Sequence, residues 1–202
     1  MFNLIRRDVI LQKRQLLIFI PTILSFIILD KHHPAFIFII ASIIIPFSTY
    51  AYDEKAETNI LLNSLPYTRT EIIASRYLGA IVYMVLAIVV TSLALFAFNK
   101  PFAMTDIAIA SGLFLLFAAF TFPLFYIIKP GYFFMAVLIT FFLLAGIGPA
   151  IVLFLAEHLA AITNFITNLS VPTLYTGAAL VVIGVYVISW GISTVIYHRK
   201  AF

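Results

Sequence analysis

The sequence has no cysteine and very little charge. Its 202 residues include 12 Lys or Arg and 8 Asp or Glu, so charged residues make up 10% of the chain, whereas a soluble domain has about 25%. The missing cysteines exclude a disulfide scaffold and any cysteine-based metal site. Hydrophobic residues make up 64%, and the mean hydropathy is +1.15. A water-soluble fold could not bury this much apolar surface, so we expect lipid to be the solvent.

Motifs that would give the chain chemistry of its own are also absent. There is no GxxxxGK[ST] loop for binding ATP, no HExxH and no GxSxG. None of the acids lies in the middle of an apolar run, whereas proton-coupled transport normally needs a buried carboxylate or His. We therefore predict no catalytic residue, no metal site, no cofactor and no nucleic-acid partner for this chain. The same absences disfavour a secondary antiporter and an intramembrane enzyme.

Six apolar segments are long enough to cross a membrane. About 20 apolar residues span the hydrocarbon core, and fewer suffice when the ends snorkel. Only helices are expected, because lipid cannot satisfy open backbone groups. We therefore predict an all-α polytopic membrane protein with six transmembrane helices. The six predicted spans are Leu16–Leu29, Ala35–Ala51, Tyr77–Phe98, Ile107–Ile128, Tyr132–Leu155 and Thr173–Tyr197.

The basic residues orient these spans, because cytoplasmic segments of membrane proteins are enriched in Lys and Arg. With the N-terminus inside, the outer segments hold only Lys31 and Lys100. Both termini are then predicted to be cytoplasmic, and Arg76 is expected to mark the cytoplasmic lip of the third span. The predicted cytoplasmic bases are Arg6, Arg7, Lys13, Arg14, Lys55, Arg69, Arg76, Lys129, Arg199 and Lys200.

The aromatic residues near span ends and the hydroxyl residues within the spans are expected to have structural roles. Tyr126, Tyr132, Trp190 and Tyr197 lie near span ends, where interfacial aromatic residues are expected. The hydroxyl residues inside the spans can each bond back to a carbonyl of their own helix. They are Ser25, Ser42, Ser48, Thr91, Ser92, Ser111, Thr121, Thr140, Ser189, Ser193 and Thr194.

The polar stretch YDEKAETNILLNSLPYTRTEI lies between the second and third predicted spans. Asp53, Glu54 and Glu57 are predicted to lie in the first turns of a short amphipathic helix, since acids match the positive N-terminal end of a helix. That helix is expected to end near Asn63 or Ser64. The alternative is a loop that is polar only for the sake of topology.

The end of this stretch has a clear helix signal. Pro66 stops the preceding helix because it lacks an amide proton. Thr68 is followed three residues later by Glu71, which is the pattern of a capping box. We therefore predict that the next helix begins at about Arg69 and continues into the membrane.

The same stretch resembles the permease subunits of ABC-2 type exporters. An acidic DEK, then LLNSLP, then TRTEIIASRYLG entering a span is similar to the segment between spans two and three in that family. The likeness is strongest to small permeases with a separate ATPase, such as staphylococcal exporters of phenol-soluble modulins or bacitracin and lantibiotic resistance exporters. The matching residues are Asp53, Glu54, Leu62, Ser64, Leu65, Pro66, Thr68, Arg69, Ile72, Arg76, Tyr77 and Leu78.

The resemblance implies a function and partners. In that family this cytoplasmic segment is the coupling helix, which docks on a nucleotide-binding subunit. ATP and Mg would be bound by that ATPase, and the permease would pair with a second copy or a paralogue in a bacterial plasma membrane. The coupling contacts implied here are Asp53, Glu54, Lys55, Glu57, Asn59, Leu61, Leu62, Ser64, Leu65, Pro66 and Arg69.

The basic N-terminal segment resembles the interfacial elbow helix that precedes the first span in that family. Arg6, Arg7, Lys13 and Arg14 would contact anionic headgroups beside an imperfect apolar stripe. The alternative is a basic anchor that only sets topology.

The stretch AGIGPA in the fifth span contains Gly146, Gly148 and Pro149. These residues allow either a flexible gate or hinge, or close packing against another helix. We treat the chain as one transmembrane domain, 1–202. Its predicted parts are the elbow helix 1–15, spans one and two 16–51, the coupling segment 52–76, spans three to five 77–155, an extracellular loop or short helices 156–172, and span six with the tail 173–202.

We therefore expect the permease subunit of an ATP-driven ABC exporter. Spans with so few charges suit an amphipathic or hydrophobic cargo, such as a cytolytic or antimicrobial peptide. Two alternatives stay open at this point: a non-transporting membrane immunity or sensor protein, and the substrate-binding component of a vitamin importer.

Overall fold

The computed structural model describes residues 13–29, 33–55, 67–128, 132–158 and 168–199. All regular elements in these ranges are helical, which confirms the all-α prediction for the described part of the chain. The helices are α1 Lys13–Ile28, α2 Pro34–Lys55, α3 Arg69–Ala97, α4 Met104–Ile127, α5 Phe133–Phe142, a π-helical turn Leu143–Ile147, α6 Gly148–His158 and α7 Val171–Arg199.

Four helices among the described residues are long and apolar enough to cross a membrane. They are α3, α4, α7 and the continuous helix Phe134–His158, which joins α5 to α6 through the π turn. The described apolar parts of the first two helices, Phe19–Ile28 and Pro34–Tyr50, are shorter. Four of the six predicted spans are therefore found at full length, and the six-span count remains a prediction.

The ends of four helices meet on one side of the bundle, which we call the cluster end. Tyr50 near the end of α2 contacts Tyr126 near the end of α4, and Arg69 at the start of α3 contacts His198 at the end of α7. The opposite side, where α2, α4 and α7 begin and α3 ends, is called the far end. The described residues on either side of 56–66 therefore both lie at the cluster end.

Two buried cores hold the helices together. The cluster-end core contains side chains of α2, α3, α4 and α7, and α4 and α7 pack together most extensively of all helix pairs. The second core lies between α1, α2, α3 and α4 and includes no residue of α7. The buried residues of this second core are Phe19, Ile23, Ile27, Ile37, Phe38, Ala41, Ile45, Tyr83, Ala87, Leu95 and Ala110.

The second helix extends further than the sequence predicts. It was expected to end at Ala51, with Asp53 and Glu54 opening a separate helix, but α2 runs without a break to Lys55. The prediction was wrong because no proline or glycine interrupts the residues between Pro46 and Lys55. The two acids therefore continue the membrane helix.

The hydrogen-bond pattern of the fifth span changes at its glycine-rich stretch, although the helix continues. The π turn Leu143–Ile147 contains Gly146, and Gly148 and Pro149 begin α6. Pro149 has no amide proton for the preceding turn, which accords with a local change of hydrogen-bond pattern there. A Cβ added at Gly146 or Gly148 would meet nothing within 4 Å. Close helix packing at these glycines is therefore not found among the described residues.

Candidate functional site

Aromatic rings from four helices meet at the cluster end. Tyr77 of α3 lies at the centre: its ring centroid is 5.0 Å from those of Phe122 and Tyr186, and it stacks on Trp190 at 5.8 Å with an interplanar angle of 10°. Offset and edge-to-face pairs of this kind stabilise a core beyond their buried area. The rings of this aromatic cluster are Phe47, Tyr50, Tyr77, Phe122, Phe125, Tyr126, Tyr186, Trp190 and Tyr197.

Hydrogen bonds join α3 to α7 within this cluster. The Tyr77 hydroxyl lies 2.8 Å from Ser189 Oγ and 2.7 Å from Ser193 Oγ. The Tyr186 hydroxyl donates to the Tyr77 carbonyl at 2.9 Å. Tyr77, Ser189 and Ser193 are all buried, so these bonds are shielded from competing water.

Arg69 adds a further contact between the same two helices. Its Nη1 donates to the carbonyl of His198 at 2.9 Å and reaches that of Tyr197 at 3.5 Å. The last carbonyls of a helix have no partner within the helix and carry partial negative charge, so a guanidinium is a favourable cap. We call the residues that join the two helices the α3–α7 clasp: Arg69, Tyr77, Tyr186, Ser189 and Ser193.

The second helix joins the cluster through Tyr50. Its hydroxyl lies 2.7 Å from that of Tyr126 on α4, and the guanidinium carbon of Arg76 lies 5.2 Å from the centroid of its ring. Arg76 is buried, with 8% of its surface exposed, because a cation over a tyrosine face can be held inside a core. Its expected place at the cytoplasmic lip of the third span stays a prediction.

The capping box at the start of α3 is confirmed. The Thr68 amide donates to Glu71 Oε2 at 2.9 Å, and the Glu71 amide donates to Thr68 Oγ1 at 3.2 Å. The helix begins at Arg69, as predicted. This cap determines where the chain turns from the 56–66 segment into the membrane helix, immediately beside the clasp.

The predicted coupling residues lie partly inside and partly outside the described chain. Asp53, Glu54 and Lys55 are on the last turn of α2, and Arg69 points to α7. Contact of these residues with an ATPase remains a prediction. The predicted coupling residues that lie outside the described ranges are Glu57, Asn59, Leu61, Leu62, Ser64, Leu65 and Pro66.

The predicted interfacial residues are divided in the same way. Arg6 and Arg7 lie outside the described ranges, whereas Lys13 and Arg14 begin α1. An elbow helix before the first span therefore remains a prediction. Of the predicted outer loop, 159–167 also lies outside the described ranges.

Sequence reasoning missed the residues that connect the helices. Most of the described span hydroxyls do bond back to their own helix, as Ser42 and Thr121 do, but Ser189 and Ser193 bond to other helices instead. Three of the four aromatic residues expected at the membrane interface are packed in the cluster: Tyr126, Trp190 and Tyr197.

A helical spacing in the sequence could have revealed part of this site. Tyr186, Ser189, Ser193 and Tyr197 recur at intervals of three or four residues, so they lie on one face of a helix. They are also the buried residues of α7. A stripe of hydroxyl-bearing residues on one face of an otherwise apolar helix indicates contact with other helices rather than with lipid.

This arrangement has a mechanical rather than a chemical character. Of the helices on either side of residues 56–66, α2 is joined to α4 by the Tyr50–Tyr126 contact, and α3 is joined to α7 by buried hydrogen bonds. A displacement of the first turns of α3 would therefore be passed to α7 and, through Ser189, to α4.

Comparison with known proteins identifies a family. A family model described as an ABC-2 family transporter protein matches residues 3–198. No curated protein and no solved structure matches the chain. The family match covers nearly the whole chain, including the 56–66 segment and all described helices except the last residue of α7.

Proposed function

The chain belongs to the ABC-2 transporter family, and from that membership we propose that it is the permease of an ATP-driven exporter of amphipathic or hydrophobic molecules. Members of this family are membrane components of ABC transporters and work with an ABC ATPase subunit. The chain is accordingly a multi-pass membrane protein. The direction of transport, the cargo and the coupling residues are the parts that we propose.

The family match over 3–198 is the observation that carries the proposal. It favours a permease over a stand-alone immunity protein or a vitamin-binding component. We further propose that ATP and Mg bind to the partner ATPase, that this permease pairs with a second copy or a paralogue, and that both termini face the cytoplasm of a bacterial cell. The strong bias of basic residues toward one side supports that orientation.

The coupling role of the segment between α2 and α3 is supported by its surroundings. The described ends that flank it, at Lys55 and Tyr67, lie at the cluster end, beside the aromatic cluster. The capping box of Thr68 and Glu71 fixes the start of α3 there. A segment held between two anchored helices can pass a rigid-body displacement to both of them.

The proposed cargo class is supported by the groove between the far halves of α4 and α7. It has a volume of about 590 Å³ and carries no charged side chain. A charged, water-soluble solute would leave its charge without a partner there. The lining residues are Ala108, Ile109, Ser111, Gly112, Leu113, Leu115, Leu116, Tyr175, Thr176, Ala178, Ala179, Val182 and Ile183.

Co-purification and ATP hydrolysis test this function. The chain is co-expressed with candidate ABC ATPases from the same genome, and the complex is reconstituted in nanodiscs. We expect one ATPase to co-purify and its hydrolysis rate to fall severalfold when Glu54→Ala and Glu57→Ala are combined. The matched control is Glu157→Ala, an exposed acid on α6. Unchanged hydrolysis in the double variant would remove the coupling role, and failure of every ABC ATPase to associate would remove the proposed function.

A further inference from the structure

The two halves of α7 differ in what they contact. From Tyr186 to Tyr197 the helix is joined to α3 and α4, with Ser189 and Ser193 buried. From Val171 to Val181 its residues are all exposed, and none of them belongs to the second core. The helix is therefore held by buried contacts at one end and exposed at the other.

The hydrogen bonds that hold it have a determined direction. The Ser189 hydroxyl donates its one proton to the carbonyl of Ala119 on α4, because a carbonyl can only accept. Ser189 must then accept from Tyr77, so the Tyr77 proton is also committed. Ser193 can therefore only donate to Tyr77. The result is a continuous chain of donors from Ser193 through Tyr77 and Ser189 to the backbone of α4.

This chain replaces the ordinary bonding of serine in a membrane helix. Ser42, Ser111, Thr121 and Thr140 each donate to the carbonyl four residues earlier. Ser189 and Ser193 use their hydroxyls between helices instead, at a place where Arg69 also caps the end of α7. The serine bonds and the Arg69 cap lie about two turns apart on α7. Together they fix the position and the tilt of α7 relative to the first turns of α3.

We propose that α7 is a lever: a displacement of the first turns of α3 turns it through the α3–α7 clasp, while the far half of α3 is held in the second core. Arg69, Tyr77, Ser189 and Ser193 are then positioning residues for transport. This inference rests on the proposed function, because the driving displacement comes from the ATPase through the segment between α2 and α3. Ser189 lies 18 residues after Val171, about 27 Å along a helix, so a tilt of about 10° displaces Val171 by about 5 Å.

The groove between α4 and α7 is the space that this lever would change. It is lined by α7 residues from Tyr175 to Ile183, which belong to the unattached part of the helix. The opposite wall runs along α4 from Ala108 to Leu116. Ala110, on the same stretch of α4, belongs to the second core, so α4 serves as the stationary wall.

Distance measurements between spin labels test this proposal. The chain has no cysteine, so labels can be placed at chosen sites. Phe96 on α3 and Val171 on α7 lie at the far end and are 78% and 68% exposed. Labels at Phe96→Cys and Val171→Cys therefore report the position of the far half of α7 relative to α3. Phe96→Cys with Ile28→Cys on α1 reports on the second core. Labelled chain is diluted with unlabelled chain and assembled with the ATPase in nanodiscs.

We expect ATP with vanadate to shift the Phe96–Val171 distance by about 5 Å and to leave the Phe96–Ile28 distance unchanged. Tyr77→Phe removes only the central hydroxyl and should reduce the shift by at least half. Ser193→Ala should act in the same direction. Tyr83→Phe is the matched control, since it is a buried tyrosine of α3 in the second core, and it should keep the full shift.

The outcomes separate the two proposals. A full shift in both Tyr77→Phe and Ser193→Ala would overturn the lever while leaving the permease function intact. The lever would also be overturned, and the permease function kept, if the ATPase hydrolyses ATP with the wild-type permease without any shift in the Phe96–Val171 distance. Absence of any bound ATPase would overturn the proposed function and the lever together. An unchanged Phe96–Ile28 distance in each variant shows that the core is still folded.

Discussion

The cluster half and the far half of α7 have similar apolar sequences and opposite surroundings. Between Tyr186 and Tyr197 every third or fourth residue is buried against α3 and α4, whereas all residues from Val171 to Val181 are exposed. The far half contains a glycine, but a Cβ at Gly177 would meet nothing within 4 Å. Small residues alone therefore do not bring a helix into contact with its neighbours here, whereas buried hydroxyls and rings accompany contact.

This contrast has a physical reason. Lipid tails solvate an apolar side chain about as well as another helix does. Apolar composition alone therefore contributes little free energy to helix association in a membrane. A buried hydroxyl or a cation does gain from a partner, and the cluster half supplies both through Ser189, Ser193 and Arg69. In the far half the hydroxyls of Thr173, Tyr175 and Thr176 are exposed rather than buried, so this half lacks that gain and is the part that we propose moves.

The largest expected difference between the two halves concerns stability. Tyr77→Ala removes a fully buried ring and leaves Ser193 without its partner, so we expect it to lower the free energy of unfolding by about 3–5 kcal/mol. Leu180→Ala, at a site with 71% exposure, should change it by less than about 0.5 kcal/mol. Reversible unfolding in mixed micelles measures both. Similar losses for the two variants would show that the far half is packed as well.

Helix caps at the two ends give a smaller contrast. Thr68→Ala removes the reciprocal cap of α3 at the cluster end and should cost about 1 kcal/mol. Ser170→Ala removes a longer contact at the start of α7, where the Thr173 amide lies 3.4 Å from Ser170 Oγ, and should cost only a few tenths, about 0.3 kcal/mol. Thr68→Ser should restore the stability of α3. The same unfolding assay measures all three, and an equal cost at both caps would contradict the expected contrast.

A double-mutant cycle measures the clasp hydrogen bond itself. Tyr77→Phe and Ser193→Ala should show a coupling free energy of about 0.6 kcal/mol, the usual size for a hydrogen bond between membrane helices. Tyr175→Phe and Ser111→Ala, which remove hydroxyls from opposite walls of the groove, should show none. Coupling between Tyr175 and Ser111 would mean that α7 is attached along its whole length.

The smallest expected effects are at glycines that contact nothing. Gly146→Ala in the π turn and Gly177→Ala in α7 add a methyl group to open space, so we expect each to change stability by less than about 0.5 kcal/mol. If the π turn is a hinge, Gly146→Ala will also slow ATP-driven transport in proteoliposomes, while Gly177→Ala will not. Equal transport rates in the two variants would argue against a hinge at Gly146.

Local signals in the sequence predicted local structure well. The capping box at Thr68 and Glu71 and the start of α3 follow from the spacing of two side chains. The π turn lies in the stretch where the sequence allowed a hinge or close packing, and a hinge there stays a prediction. The end of α2 was missed because acids at the end of an apolar run mark a change of solvent rather than a break in the helix.

The clasp could not be predicted in the same way. Hydropathy does not distinguish a tyrosine at the membrane interface from one inside a core, and Tyr126 and Tyr197 proved to be buried. A serine in a membrane helix normally bonds to its own backbone, so Ser189 and Ser193 carry no individual signal. The identity of their partners depends on how helices distant in sequence pack, with Tyr77 and Ser193 lying 116 positions apart.

Replacement of residues 56–66 by a Gly/Ser linker of equal length tests the central claim most directly. The quantity to measure is the ATP- and vanadate-dependent change in the Phe96–Val171 label distance in the assembled complex. We expect the wild type to shift and the linker variant to show no shift, with an unchanged Phe96–Ile28 distance in both. A full shift in the linker variant would contradict the claim that the ATPase drives α7 through this segment.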